Sequence, residues 1–376
     1  MATNHNPASP GAPDSEQSAP EVLERLVHQA EQADASDIHL HIRGGTAAVS
    51  FRLDGVMTPA ATLPAELAER VFGRIKFLAR LKTYQDSFPQ DGRIDKADLQ
   101  ARSDIRVATY PTVTGEKIVL RLFNASTIRS LAELDFPVEA RSELERFLAR
   151  TSGMLLLTGP AGSGKTTTIY ACLGALAEHG ERHIITIEDP AEQIVPGVMQ
   201  TEVNPARGLD FAQAARHLLR QDPQVLVIGE IRDDETANLA VRAALTGHLV
   251  VSTLHAGSCK GVFERLLVMC ADRSAVAASV ELVVNQRLVR RLCPACAGRG
   301  CPACLNTGYR GRLPLLEWLR IDDTSRHRIS ASDLDGLKTR PSLAEAARAL
   351  VQAGLTNSAE MRRVLGDFDL GPPVNQ

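Results

Sequence analysis

Aromatic residues are scarce: Phe, Tyr and Trp make up 4% of the 376 residues, with a single tryptophan. No excess of basic charge makes up for that scarcity. The 42 Lys and Arg face 45 Asp and Glu, for a formal net charge of −3. A chain with few rings to stack bases and no basic stripe is poorly equipped to bind nucleic acid. No apolar run approaches the roughly 18 residues of a membrane-spanning helix. The start, Met1-Ala-Thr-Asn-His-Asn-Pro7, lacks the basic region and apolar core of a secretory signal, and no internal repeat is visible. Of seven cysteines, four crowd between 293 and 304. Without an export signal, clustered thiols point to metal rather than to disulfides. These absences predict a cytoplasmic protein of two or three domains.

What is present centres on Gly159-Pro160-Ala161-Gly162-Ser163-Gly164-Lys165-Thr166, which fits the phosphate-binding pattern G-x-x-x-x-G-K-[ST]. The apolar run Met154-Leu-Leu-Leu157 before it predicts a buried strand. The stretch from Thr166 and Thr167 onward has the composition of a helix. Strand, glycine loop and helix are the context that the pattern requires. The glycines let backbone N–H groups turn toward phosphates, and the helix N-terminus adds its positive end. Lys165 is expected to reach the β- and γ-phosphates of ATP, and the Thr166 hydroxyl to sit on Mg²⁺.

Taken in order, residues 1–20 are rich in Pro, Ser, Ala and Gly and predict a disordered leader. Ser18-Ala-Pro-Glu21 resembles a capping box. Residues 21–123 predict a small α+β domain: strands near 38–42, 49–53, 105–109 and 118–122, with a helix opened by Pro64. Arg93, Arg106 and Arg121 lie on the polar faces of that domain, where arginines are ordinarily solvated. Residues 124–137 read as a linker. From 138 to 292 strands alternate with helices, which predicts a mostly parallel sheet covered on both faces. Residues 312–376 read as a helical C-terminal part.

Hydrolysis of a phosphoanhydride needs a carboxylate to orient or deprotonate water. Glu188 follows the strand ending at Ile187. Glu230 follows the strand 225–228, where a Walker B acid belongs, although this strand ends in Gly-Glu rather than Asp-Glu. Both are candidates at the carboxyl edge of the sheet, where such sheets bind ligands. His248 and His255 flank a further strand. Alone, each is more often a packed histidine; together, beside a γ-phosphate, they are candidate sensors. Cys293-x2-Cys296-x4-Cys301-x2-Cys304 supplies four thiolates, the tetrahedral set that Zn²⁺ prefers. Cys172, Cys259 and Cys270 read as buried small residues.

Several ordered motifs together resemble the type II secretion and type IV pilus assembly ATPases. They are the phosphate loop, Ile-Thr-Ile-Glu188-Asp-Pro-Ala-Glu192, Val-Ile-Gly-Glu230-Ile-Arg and Leu-Thr-Gly-His248-Leu-Val-Val-Ser-Thr-Leu-His255. Upstream stand Pro-Gln-Asp91-Gly-Arg93-Ile and Asp-Ile-Arg106-Val; downstream stands Asn-Gln-Arg-Leu-Val-Arg-Arg-Leu-Cys293. The resemblance spans nearly all of 21–368. It implies a PAS-like N-terminal domain, a RecA-like P-loop core over 138–292, a zinc loop over 293–311 and C-terminal helices. It implies a homohexamer in which Arg93 and Arg106 reach the phosphates. It also implies recruitment to the cytoplasmic face of the inner membrane by a platform protein of the secretion or pilus machinery, with membrane association through partners only. Two departures stand out: only about 20 residues precede the matching part, and Gln224 stands where Asp is common. A pilus retraction motor is the nearest alternative, and a RecA-like nucleic-acid translocase a more distant one.

Overall fold

The computed structural model describes residues 18–122, 128–178, 180–204 and 207–366. Most of the expected leader, residues 124–127 of the expected linker and the tail 367–376 lie outside the described residues. Ser18 caps the first helix, α1 (Ala19–Gln32), in the reciprocal manner that its sequence predicts, with Glu21 reaching back to the cap. Strands β1 (Asp37–Arg43), β2 (Thr46–Leu53) and β3 (Val56–Pro64) follow as a meander. Asp54 and Gly55, both at positive φ, make the tight turn between the last two. Then come α2 (Ala65–Leu78), β4 (Gln90–Ile94), α3 (Lys96–Leu99), β5 (Ile105–Thr112) and β6 (Gly115–Leu122).

These strands form one six-stranded sheet in the order β3-β2-β1-β6-β5-β4. Alternation sends Ile38, Leu40, Ile105, Val107, Ile118 and Leu120 into a core shared with α1 and α2. The other face is polar, and its register is informative. Arg93 stands opposite Arg106, which stands opposite Arg121, which stands opposite Asp37, which stands opposite Arg52. Asp37 accepts from Arg121 Nε at 3.1 Å and pairs with Arg52 Nε at 3.2 Å. Burial works against its charge, but Ser36, Arg121 and Arg52 outweigh that and hold the carboxyl below its ordinary value.

The second sheet begins after α4 (Val138–Leu148). Its elements are β7 (Gly153–Thr158), α5 (Lys165–Glu178), β8 (Ile184–Glu188), β9 (Val198–Glu202), α6 (Phe211–Leu218), β10 (Val225–Ile228), α7 (Asp234–Leu245) and β11 (Leu249–Thr253). They continue through α8 (Cys259–Met269), α9 (Arg273–Ser279), β12 (Val280–Leu292) and β13 (Tyr309–Arg320). Helices α10 (Asp323–Ser330), α11 (Leu343–Gln352) and α12 (Ser358–Leu365) close the chain.

The strand order is β13-β12-β7-β11-β10-β8-β9. Every pairing from β12 to β9 is parallel. Strands β7, β8, β10 and β11 are buried throughout, as a sheet packed on both faces demands. Two apolar clusters, one on each face, form its core.

The C-terminal part is not helical from 312 onward, as the sequence led us to expect: Tyr309–Arg320 is an edge strand. Its run Leu313–Leu319 is buried at every position, so neither a helical nor an alternating period is visible there. Gln224, the unusual residue after Asp222-Pro223, accepts a hydrogen bond from the His183 amide and so ties the start of β10 to that of β8.

The chain divides into two compact units. Leu292–Gly311, the cysteine segment, groups with the amino-terminal sheet rather than with the second one. Within that unit the Gly311 amide donates to Asp54 Oδ2 at 2.8 Å.

Candidate functional site

Parallel register brings the candidate residues of the second unit to one edge. Leu157 of β7 lies beside Thr253 of β11, and Ile228 of β10 beside both Ser252 of β11 and Ile187 of β8. The phosphate loop, Glu188, Glu230 and His255 therefore leave the sheet at the same carboxyl end. His248 does not. It precedes β11, whose first residue pairs with Gly153 at the start of β7. At about 3.3 Å per residue it is roughly 20 Å of strand away from His255. Its Nδ1 lies 3.0 Å from the Ala243 carbonyl at the end of α7. The two histidines expected to act together therefore stand at opposite ends of β11, and only His255 is at the edge that carries the glycine loop.

The loop has the backbone that phosphate binding requires. Gly159 and Gly164 have φ of +137° and +91°. A Cβ on Gly159 would come 2.2 Å from the Gln286 carbonyl oxygen, and one on Gly164 would come 2.7 Å from Gln286 Nε2. Gln286, 2% exposed, thus backs the loop, and its Oε1 accepts from Thr168 Oγ1 at 3.0 Å. Ser163 Oγ is buried without a hydrogen-bond partner inside the loop. Thr166 and Thr167, in the first turn of α5, are exposed. Lys165 Nζ donates to the carbonyls of Gly159 at 2.8 Å and Pro160 at 2.9 Å. Burial lowers its pKa and Arg287 adds to that, while Glu230 works in the opposite direction. Pro160, Ala161 and Gly162 form the exposed outer rim.

Glu230 and Glu188 sit at that edge in different surroundings. Glu230 Oε1 is 3.0 Å from His255 Nε2, and Arg232 Nε donates to Glu230 Oε2 at 2.9 Å. That bond, with Asp189 3.4 Å from Arg232 Nη1, raises the pKa of the guanidinium. The Glu230 side chain retains 19% of its exposure, so it can meet water. Glu188 is 8% exposed and accepts from Tyr170, Thr186 and Gln200.

The loop bearing His255 is fastened to the phosphate loop. Thr158 Oγ1 donates to the Ala256 carbonyl and accepts from the Ala256 amide, both at 2.9 Å. Asn285 Nδ2 and Arg287 Nη2 donate to the Gly257 carbonyl at 3.1 and 2.9 Å. Sequence reasoning did not single out Tyr170, Thr158, Gln286 or Arg287 for the site. Gln286 and Arg287 stood in the motif that ends at Cys293, and Tyr170 lies four residues after Thr166, on the same helix face.

In the first unit, Arg93 and Arg106 face each other across β4 and β5, both exposed. Arg93 Nε donates to Asp104 Oδ2 at 2.8 Å.

The four cysteines come together. Their sulfurs all lie within 4.8 Å of one another, with Cys293 to Cys301 and Cys296 to Cys304 each at 3.9 Å. Four thiolates about 2.3 Å from a central Zn²⁺ would stand about 3.8 Å apart, so the set fits that ion. Ala297, Gly298 and Gly300, all at positive φ, turn the short insert between the two knuckles. Burial opposes ionisation of Cys304. Amide donors from Cys301 and Gly308, each 3.3 Å from its sulfur, together with neighbouring thiols, outweigh this and bring it down to about 7.

A glycine loop between a central parallel strand and a helix, with two carboxylates at the same edge, defines a P-loop nucleotide hydrolase. The chain belongs to the type II/IV secretion system protein family, which it matches over residues 13–365. It is 36% identical to the type II secretion system ATPase E of Vibrio cholerae, over 93% of this chain and 76% of that one. It is 38% identical to the type IV pilus assembly ATPase PilB of Thermus thermophilus, over 84% of this chain and 39% of that one. The ATPase DotB of Legionella pneumophila shares the fold, with a TM-score of 0.70 and 20% identity over 95% of this chain and 97% of its own.

The protein is an ATP-hydrolysing P-loop enzyme, and ATP with Mg²⁺ follows from that class. Among the described residues no helix is long and apolar enough to cross a membrane.

Proposed function

We propose that this protein is the motor ATPase of a type II secretion or type IV pilus assembly machine. In this reading it acts as a homohexamer on an inner-membrane platform protein. Lys165 and the amides of 159–166 hold the phosphates, and the Thr166 hydroxyl serves Mg²⁺, whose charge offsets that of the phosphates when it is bound. Glu230, held between His255 and Arg232, orients the attacking water, and Glu188 supports the same edge. Arg93 and Arg106 of one subunit serve nucleotide held by a neighbour. Movement would come from closing on ATP and opening after hydrolysis.

One observation carries the arginine part of this reading. Three arginines stand side by side across β4, β5 and β6. Like charges directly opposite one another destabilise a sheet. An anion brought to that face would reverse the sign of the arrangement. The test is specific ATPase activity against protein concentration, with molar mass followed in parallel. Activity is expected to rise as mass grows toward that of a hexamer. A rate independent of concentration, from monomers, would remove the ring.

The cysteine cluster is read as structural zinc, holding the two knuckles of 293–304 as one unit. Elemental analysis is expected to give about one zinc per chain. A metal-free chain whose 292–311 segment stays folded would overturn that assignment.

A further inference from the structure

Tyr170 lies one turn beyond Thr166 on α5 and is 5% exposed. Its hydroxyl donates to Glu188 Oε2 at 2.5 Å. The tyrosine oxygen in turn accepts from the amides of Glu192 at 2.9 Å and Gln193 at 3.2 Å. The other carboxylate oxygen of Glu188 accepts from Thr186 Oγ1 at 2.6 Å and Gln200 Nε2 at 2.9 Å. Gln200 Nε2 also donates to the Gln193 carbonyl at 2.9 Å, and its Oε1 accepts from the Val195 amide at 2.6 Å. Both oxygens of one buried carboxylate are therefore fixed, from the helix on one side and from the sheet on the other. The helix is the one whose first turn carries Lys165 and Thr166.

We propose that Tyr170 is a positioning residue for ATP hydrolysis. Its hydroxyl sets the Glu188 carboxylate relative to the first turn of α5 and fastens the 190–193 segment to the same point. The inference rests on the reading of Glu188 as a working part of the nucleotide edge. Phenylalanine would fill the same volume, so what the hydroxyl adds is its bond to Glu188 and the two amide bonds it accepts. Burial and the bond to Glu188 push the phenol up to about 12, so this hydroxyl keeps its proton and stays a donor at any working pH. Charged groups near Glu188 include Glu202, opposite it on β9, and Asp189 with its partner Arg232. None of them donates to its carboxylate in the described contacts.

The test is a cycle of Tyr170→Phe, Glu188→Gln and the double variant in the full chain, measured as kcat and KM for ATP. Tyr170→Phe is expected to lower kcat about 10–100-fold, the scale of a small misplacement of a catalytic group. KM is expected to stay within about twofold, since nothing in the phosphate loop is removed. The double variant is expected to match Glu188→Gln alone, because two residues acting as one unit are not additive. Losses that multiply would mean that Tyr170 acts independently of Glu188.

Wild-type kcat in Tyr170→Phe, or multiplied losses in the double variant, would overturn the inference. Glu188→Gln at the wild-type rate would instead overturn the role given to Glu188 itself. If Tyr170→Phe folds poorly, Thr186→Val reads the same carboxylate from its other oxygen. It is expected to lower kcat several-fold at unchanged KM, and an unchanged kcat there would count against the positioning of Glu188.

Discussion

Glu230→Gln is expected to bind ATP as the unaltered protein does and to hydrolyse it about 10²–10⁴-fold more slowly, the usual weight of a positioned acid–base group. The substitution keeps the volume of the side chain and leaves Arg232 an oxygen to donate to. What it removes is the charge between His255 and Arg232 at the mouth of the phosphate loop. A neutral amide cannot take a proton from water, and its NH₂ group competes with the donors already there. Binding should be spared because the proposed reading gives it to the loop amides and Lys165, which Glu230 does not touch through any described hydrogen bond. Lys165→Ala is the counterpart and is expected to lose nucleotide affinity with activity. The measurement is single-turnover hydrolysis beside equilibrium ATP binding. Normal turnover by Glu230→Gln would transfer the water-orienting role to Glu188, whose carboxylate is more deeply held and accepts from Tyr170, Thr186 and Gln200.

The nucleotide edge was legible in the sequence because local patterns carry it. A glycine loop after an apolar strand, and acids after two further strands, converge whenever the sheet is parallel. The four cysteines were legible for the same reason, since two C-x2-C knuckles need only a turn between them. What was hidden depends on partners distant in sequence. Whether 309–320 was strand or helix could not be decided from its pattern, because even Glu317 is buried within the run 313–319. The separation of His248 from His255 follows from the length of β11, because a seven-residue gap means one strand's length only if the intervening residues are extended. Tyr170 looked like one more helix residue until β8 placed Glu188 against it. The arginine row needed the register of two strand pairings, which alternation within each strand does not fix.

That register also shapes the second large prediction. Arg93→Ala is expected to reduce ATP hydrolysis about 10³-fold at concentrations where the proposed ring would form, the lower end of what an arginine finger contributes. The lower end applies because Arg106 stands directly opposite and remains. Folding should be little affected, since Arg93 is exposed and its salt bridge to Asp104 is a surface pair of the kind that adds little to stability. Its removal even relieves repulsion from Arg106. The loss should therefore appear in turnover and not in thermal stability. Mixing separates action within a chain from action between chains. A ring containing both Arg93→Ala and Lys165→Ala subunits has some sites where an intact phosphate loop meets an intact Arg93 from the neighbour. Two nearly inactive proteins should then recover activity when combined, rising to a maximum near equal amounts. If Arg93 serves its own chain's nucleotide, no mixture regains activity, because every subunit carries one broken half. Full activity of Arg93→Ala on its own would remove the arginine from the reaction altogether and leave the paired charges on β4 and β5 to be explained by another anion.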